Sequence, residues 1–392
     1  MSSASTFEDI AAITSASVMP TYKRLDVCFA RGEGMYLFDT AGKSYLDFVA
    51  GIAVTALGHS HPAVTEAIAE QAGKLVHTSN LYHTEPMAKL AEALKELTGW
   101  SDAKVFFANS GAEANECALK LVRRWSHDKY GSQRFETTAA HGSFHGRTLE
   151  TLAATGQPKK WEGFAPLPTG FIHVAYDDAE ALGSAVNERT CAVLLEPVQG
   201  EGGVVAPKDD YLPLVRKICD EADLAFIADE VQTGFGRTGH WFGFQASSAV
   251  PDVMTLAKAL GNGLPIGACI ARGVFADAFK PGDHATTIGG GPVVCAAALA
   301  VIDTMKSLDL PSRAAQIGAY LEQRLRGLAT THEMVKGCRG KGLLLALELH
   351  SAVARQVVLK SLDQGLLVND VTADAVRLSP PLIAEKSHCD QA

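Results

Sequence analysis

Short runs that are apolar at nearly every position recur along this chain, separated by stretches with helical spacing. Lys104-Val-Phe-Phe-Ala108, Cys191-Ala-Val-Leu-Leu195, Leu224-Ala-Phe-Ile-Ala228 and Asp252-Val-Met-Thr-Leu256 are of this kind. Runs without a period of two predict strands buried on both faces, as in a parallel sheet covered by helices. Between them, Pro86 to Leu97 puts Met87, Leu90, Leu94 and Leu97 on one helical face, with a proline near the start and Gly99 just past the end. That spacing predicts an amphipathic covering helix. Earlier, Gly32-Glu-Gly34 leads into two alternating segments joined by Asp39-Thr-Ala-Gly42, the pattern of a small β-hairpin. The class expected is α/β.

The polar residues that interrupt this pattern fall directly after the strands: Asn109-Ser110-Gly111, Glu196, Asp229, and Lys258 two residues beyond the fourth. Open α/β sheets bind ligands at the carboxyl ends of their strands, so these positions are expected to share one crevice. At 392 residues the chain exceeds the size of one core. Three parts are expected: an N-terminal small segment over 1–58, a large domain over 59–292 and a C-terminal small domain over 293–392.

Composition changes this picture little. Charged residues make up 20% and the formal charge is −9, which disfavours a general nucleic-acid or anionic-membrane surface. No apolar run approaches membrane-spanning length. Eight cysteines lie scattered without a Cys-x-x-Cys pair, which suits buried free thiols in a reducing compartment. No basic residue precedes Lys23, so no targeting segment is expected and the cytoplasm is the default location.

The candidate chemistry centres on Lys258, in Thr255-Leu-Ala-Lys-Ala-Leu-Gly-Asn-Gly-Leu-Pro-Ile-Gly267, which follows Asp229 by 29 residues. Apolar neighbours disfavour an ammonium ion and leave a nucleophilic amine, as a Schiff-base lysine requires. An aspartate ending an apolar strand can keep a pyridine nitrogen protonated. Taken alone, either residue reads more readily as a surface charge or a cap; together they describe a site for pyridoxal 5'-phosphate (PLP). Ser110 and the amides at the helix start after it could form a phosphate cup, and a plain serine N-cap is an equal reading. Phe144 offers a ring to cover a cofactor and Arg147 a fork for a carboxylate. No metal is expected, because His141-Gly-x-x-His145 lacks further ligands at compatible spacing.

Five linked motifs carry a family resemblance: Asn109-Ser-Gly-Ala-Glu-Ala-Asn-Glu116, Phe144-His-Gly-Arg-Thr148, Glu196-Pro-Val-Gln-Gly-Glu201-Gly-Gly203, Asp229-Glu-Val-Gln-Thr-Gly-Phe-Gly-Arg-Thr-Gly239 and the lysine segment. In order and spacing, from about Tyr22 to Leu382, they resemble the class III, or ω-amino-acid, aminotransferases. The resemblance implies PLP-dependent transferase fold type I: a large domain with a mostly parallel sheet, small terminal α+β subdomains, and a homodimer with its sites at the subunit boundary. By the same resemblance Lys258 bonds the cofactor and shuttles protons, Asp229 pairs the ring nitrogen and Gln232 contacts the ring hydroxyl. Phe144 and Val231 sandwich the ring, Ser110, Gly111 and Ala112 hold the phosphate, and Thr287 reaches a phosphate in the opposite subunit. Ile288 and Gly291 depart from the Phe and Asn common in that last loop.

Within the class, Gly51-Ile-Ala-Val-Thr-Ala-Leu-Gly-His-Ser-His-Pro62 and Thr78-Ser-Asn-Leu-Tyr-His-Thr-Glu-Pro86 resemble most the N-acetylornithine aminotransferases of arginine biosynthesis. Ile52 stands where ornithine enzymes commonly carry Tyr; it suits an acylated α-nitrogen, or is an ordinary apolar packing residue. The reaction implied takes the δ-amino group of N2-acetyl-L-ornithine to 2-oxoglutarate, giving N-acetylglutamate 5-semialdehyde and glutamate. Arg147 would bind the donor's α-carboxylate and the distal carboxylate of the oxoacid. Arg377 would bind the oxoacid's α-carboxylate, with Glu201 as its partner at other times, and Tyr22 would lie near the substrate. Succinylornithine, ornithine or 4-aminobutyrate transfer would use the same cofactor residues. A P-loop is opposed by Leu37 where Gly42-Lys-Ser44 needs an earlier glycine, and a dinucleotide loop at 261–267 by its internal proline.

Overall fold

The structure, a computed structural model, describes residues 6–392. Residues 1–5, the start of the stretch before Lys23 in which no targeting segment is expected, lie outside the described residues. Strands in chain order are β1 (Phe29–Glu33), β2 (Tyr36–Asp39), β3 (Ser44–Asp47), β4 (Lys104–Ala108), β5 (Glu136–Ala140), β6 (Phe171–Val174), β7 (Thr190–Leu195), β8 (Ala225–Asp229), β9 (Val253–Leu256), β10 (Gly267–Ala271), β11 (Val335–Lys341), β12 (Leu344–Leu349), β13 (Leu366–Leu367), β14 (Asn369–Thr372) and β15 (Ala375–Leu378).

The central sheet has seven strands in the order β4-β10-β9-β8-β7-β5-β6. Its pairs are parallel from β9 through β8, β7 and β5 to β6, while β10 runs antiparallel to both β9 and β4. Every residue of β7, β8 and β9 is buried, which is why these strands carry no polar face. Two apolar clusters cover the sheet, one built on Leu119, Val122 and Trp125 of the helix Gly111–Tyr130 and the other on Leu212, Val215 and Cys219 of the helix Tyr211–Ala222.

The predicted covering helix spans Glu85–Thr98, with Leu90 and Leu94 buried and Gly99 closing it in the left-handed region at φ 71°. The predicted hairpin is β2–β3, whose turn is held by the Asp39 carboxylate accepting from the Ala41 and Lys43 amides at 2.9 Å each. Gly42-Lys-Ser44 lies in that hairpin, not in a strand-to-helix loop. β13, from the far end of the chain, pairs in parallel with β3, and β11, β12, β15 and β14 form a third sheet. Seven of the eight cysteines are buried and all are unpaired thiols. Among the described residues no helix is long and apolar enough to cross a membrane.

Candidate active site

The carboxyl ends of β4, β7, β8 and β9 open onto one cavity of about 390 Å³. Its wall includes Ser110, Gly111, Ala112, Phe144, Arg147, Glu201, Asp229, Val231, Gln232 and Lys258. Residues scattered over 149 positions of sequence are gathered because each follows a strand or caps the helix beside one.

Ser110 is the N-cap of the helix Gly111–Tyr130, its hydroxyl accepting from the Glu113 amide at 3.2 Å. The cap reading is therefore realised. The hydroxyl hydrogen and the Gly111 and Ala112 amides, which have no carbonyl one turn back, remain available to an anion. Close approach demands glycine at two places here. A Cβ on Gly111 would come within 2.7 Å of Val231, and one on Gly267 within 2.2 Å of the Ser110 carbonyl oxygen.

Asp229, the last residue of β8, is 3% exposed. One carboxylate oxygen accepts from Asn115 Nδ2 at 2.7 Å and pairs with His145 Nδ1 at 2.8 Å; the other accepts from the Val231 amide at 3.0 Å. Asn115 is fixed in turn, donating to the His145 carbonyl at 2.8 Å and accepting from Thr255 Oγ1 at 2.7 Å. With Nδ1 turned to the Asp229 carboxylate, His145 leaves Nε2 buried without a partner among the described residues. This network was not singled out in the sequence. Its one signal was Asn115 lying a helical turn past Gly111.

Lys258 stands two residues beyond β9 at φ 47°, in a short turn over Lys258–Gly261. A non-glycine in the left-handed region is a local cost that surrounding structure must hold in place. Burial pushes its amine down from 10.5 to about 8, helped by Arg377 and opposed by Glu201, Asp229 and Glu196.

Glu201 and Arg377 meet at 2.5 Å. Arg377, on β15 and 1% exposed, also donates to Asn369 Oδ1 at 3.2 Å and to Gln232 Oε1 at 3.3 Å, while its Nη2 is buried with no partner among the described residues. Burial works against the Glu201 charge, but Arg377 and Lys258 outweigh it and hold the carboxyl below its usual range. Glu196, noted in the sequence only for its position, also lines the cavity and accepts from the Phe144 amide at 2.9 Å and the Gly200 amide at 3.1 Å. Burial pushes it up to about 7, with Asp229 adding to the rise and His145 opposing it.

Two sequence-predicted residues lie elsewhere. Tyr22 is 74% exposed, beside Arg24 and away from the cavity wall. Thr287 is exposed on a loop that borders a separate groove with Ser79, Asn80 and Thr84. On its own chain Thr287 does not meet the Ser110 cavity. His59 pairs with Asp47 at 2.8 Å, and the His141 ring stacks on His173.

A mostly parallel sheet with a buried amine, a networked aspartate and an open helix start at its carboxyl edge is the layout of an aminotransferase. Residues 18–392 match the family described as aminotransferase class-III, and the chain belongs to that family, with PLP-dependent transferase fold type I. Among its relatives, it is 49% identical to the acetylornithine aminotransferase of Caldanaerobacter subterraneus over 96% of this chain and 95% of that one. It is 46% identical to the acetylornithine aminotransferase of Methanocaldococcus jannaschii over 94% and 92%. It superposes on the crystal structure of the ornithine aminotransferase of Toxoplasma gondii with a TM-score of 0.95, at 32% identity, covering 99% of this chain and 93% of that one. For the acetylornithine aminotransferase of Elizabethkingia anophelis the values are 0.88, 31%, 99% and 97%.

The family's cofactor is PLP, and the residues present fit it. The cavity offers an amine of lowered basicity, a carboxylate held by Asn115 and His145, an aromatic ring and a helix start kept open by glycine. These answer an aldehyde, a pyridinium nitrogen, a ring face and a phosphate.

Proposed function

We propose that this enzyme transfers the δ-amino group of N2-acetyl-L-ornithine to 2-oxoglutarate, giving N-acetyl-L-glutamate 5-semialdehyde and L-glutamate. The observation that carries the substrate is the run of relatives named acetylornithine aminotransferase at 44–49% identity over nearly their whole length. Superposition alone does not choose between acetylornithine and ornithine, since enzymes of both names share the fold. Ile52, 42% exposed and not on the wall of this chain's cavity, adds a sequence argument only: an apolar side chain gives no acceptor to a free α-ammonium.

When bound, PLP supplies an electron sink that weakens the bonds to the substrate's amino carbon. The rest is done by the chain. Lys258 would hold the cofactor and carry a proton at its amine; Asp229, locked by Asn115 and His145, would keep the ring nitrogen charged. Gln232 would meet the ring hydroxyl, Phe144 and Val231 the two ring faces, and Ser110, Gly111 and Ala112 the phosphate. Arg147 would take the carboxylate at the outer end of either substrate. Arg377 would take the α-carboxylate of 2-oxoglutarate, using the nitrogen left unpartnered, and would be covered by Glu201 while the amino donor is bound.

The same reading makes the enzyme a cytoplasmic homodimer in which Thr287 reaches the neighbour's phosphate and Tyr22 lies near the substrate. Support for a second copy comes from Leu75, Val76, Leu81, Tyr82 and Ile288, which are 42–86% exposed. Apolar patches of this kind mark association surfaces. A panel of half-reactions tests the substrate: the visible absorbance of the holoenzyme is followed with acetylornithine, succinylornithine, ornithine and 4-aminobutyrate in turn. Acetylornithine is expected to react fastest, and a clear preference for another donor would replace it.

A further inference from the structure

Outside the residues already discussed, Lys160 is the cation with the least explained position. It closes the short turn Pro158–Lys160, and that turn is not a free surface loop. The Gly142 amide donates to the Gly156 carbonyl at 2.8 Å, the Gly156 amide to Ser143 Oγ at 3.0 Å, and Gln157 Nε2 to the Ser143 carbonyl at 3.0 Å. Trp161 Nε1 donates to the carbonyls of Leu152 and Thr155, both at 2.9 Å. A Cβ on Gly156 would strike the Ala140 carbonyl oxygen at 2.0 Å, so the turn is pressed against the end of β5 as only glycine permits. From this turn Lys160 Nζ lies 5.7 Å from the centroid of the Phe144 ring, while the Arg147 guanidinium carbon sits 5.6 Å from the same centroid.

The seat is an uncomfortable one for a lysine. Burial and the nearby Arg147 charge both lower its basicity, and the Glu201 charge only partly offsets them. Among the described residues neither Lys160 nor Arg147 makes an ion pair. Two like charges stand beside one ring with no protein carboxylate paired to either, which leaves room for an anion.

We infer that Lys160 is a second carboxylate-binding residue, completing with Arg147 a two-cation clamp for the outer carboxylate of the substrates. This rests on the reading of Arg147 above. A planar fork fixes the carboxylate's orientation, and a point charge at its side adds strength without demanding a geometry. The clamp therefore selects oxoacids with a carboxylate at that end over those without one.

The test is the single-turnover rate of the amino-loaded holoenzyme with 2-oxoglutarate and with pyruvate, which lacks the outer carboxylate. The second-order rate ratio of the two acceptors is compared in wild type, Lys160→Met, Lys160→Arg and Arg147→Met. Lys160→Met is expected to lower the preference for 2-oxoglutarate by about tenfold, through weaker binding, and Lys160→Arg to restore most of it. Cofactor absorbance and thermal midpoint report whether each variant is folded and loaded. A ratio unchanged in Lys160→Met but collapsed in Arg147→Met overturns the clamp and leaves Arg147 standing. A ratio near unity in wild type, or unchanged in Arg147→Met, overturns both.

Discussion

In its proposed role Lys258 must be a free amine, yet it is held among charges that partly favour its ammonium form. Burial wins, and brings it to about 8. A group whose basicity is lowered in the folded state is neutral over a wider range: below about 8 the neutral fraction falls tenfold per pH unit, and above it the fraction saturates. The rate at which cofactor-free protein captures pyridoxal phosphate, trapped with borohydride, should therefore climb between pH 6 and 8 and level off beyond. A climb continuing to pH 10 would show an ordinary surface lysine at work. Lys258→Ala should retain the cofactor noncovalently, lose all trapping at this position and lose turnover. At Asp229 the expected order is different. Asp229→Asn keeps the volume and the contact to His145 Nδ1 while removing the charge, so turnover should fall by a factor of 10² or more with a change in thermal midpoint of only a few degrees. Normal turnover would move the ring partner to another carboxylate.

The candidate residues most readily picked from the sequence were those whose chemistry is local: an amine in an apolar setting, an acid ending a strand. Asn115 and His145 were not, because their role exists only through Asp229, which reaches them at 2.7 and 2.8 Å across a helix, a loop and a strand. Element by element, the four apolar runs and the covering helix were legible because burial on both faces and a 3.6-residue period leave marks on a single segment. β10 left no such mark. Gly267-Ala-Cys-Ile-Ala271 is short, small and wholly buried, and its antiparallel direction is set by its two neighbours, not by its own pattern. Its first residue is nonetheless exacting, since a Cβ there would meet the Ser110 carbonyl at 2.2 Å. Gly267→Ala should push the helix start away from the cavity and weaken PLP binding by an order of magnitude or more, while affinity for unphosphorylated pyridoxal changes much less. Equal losses with both ligands would mean that the strand shift spoils the whole cavity and not the phosphate end.

At the scale of the molecule, one exposed loop bears on the proposed second copy. Thr287 is exposed beside Ile288, which is 59% exposed, and the loop is tied by Asn80 Nδ2 to the Gly289 carbonyl at 3.1 Å, next to the exposed apolar pair Leu81 and Tyr82. Such a rim is costly on a lone subunit and ordinary at a two-fold interface. On the proposed homodimer each site would draw Lys258 from one chain and Thr287 from the other, a division of labour that no single-chain pattern can reveal. It has a consequence that can be counted. When Lys258→Ala and Thr287→Ala chains are mixed equally and allowed to exchange, about half of the dimers are hybrids. Each hybrid has one site with both native residues and one with neither, so activity should recover to about a quarter of the wild-type value. If both residues served the same chain's site, no hybrid would contain an intact pair. Failure to recover activity, with subunit exchange verified and the Thr287→Ala parent impaired, would place Thr287 outside the shared site.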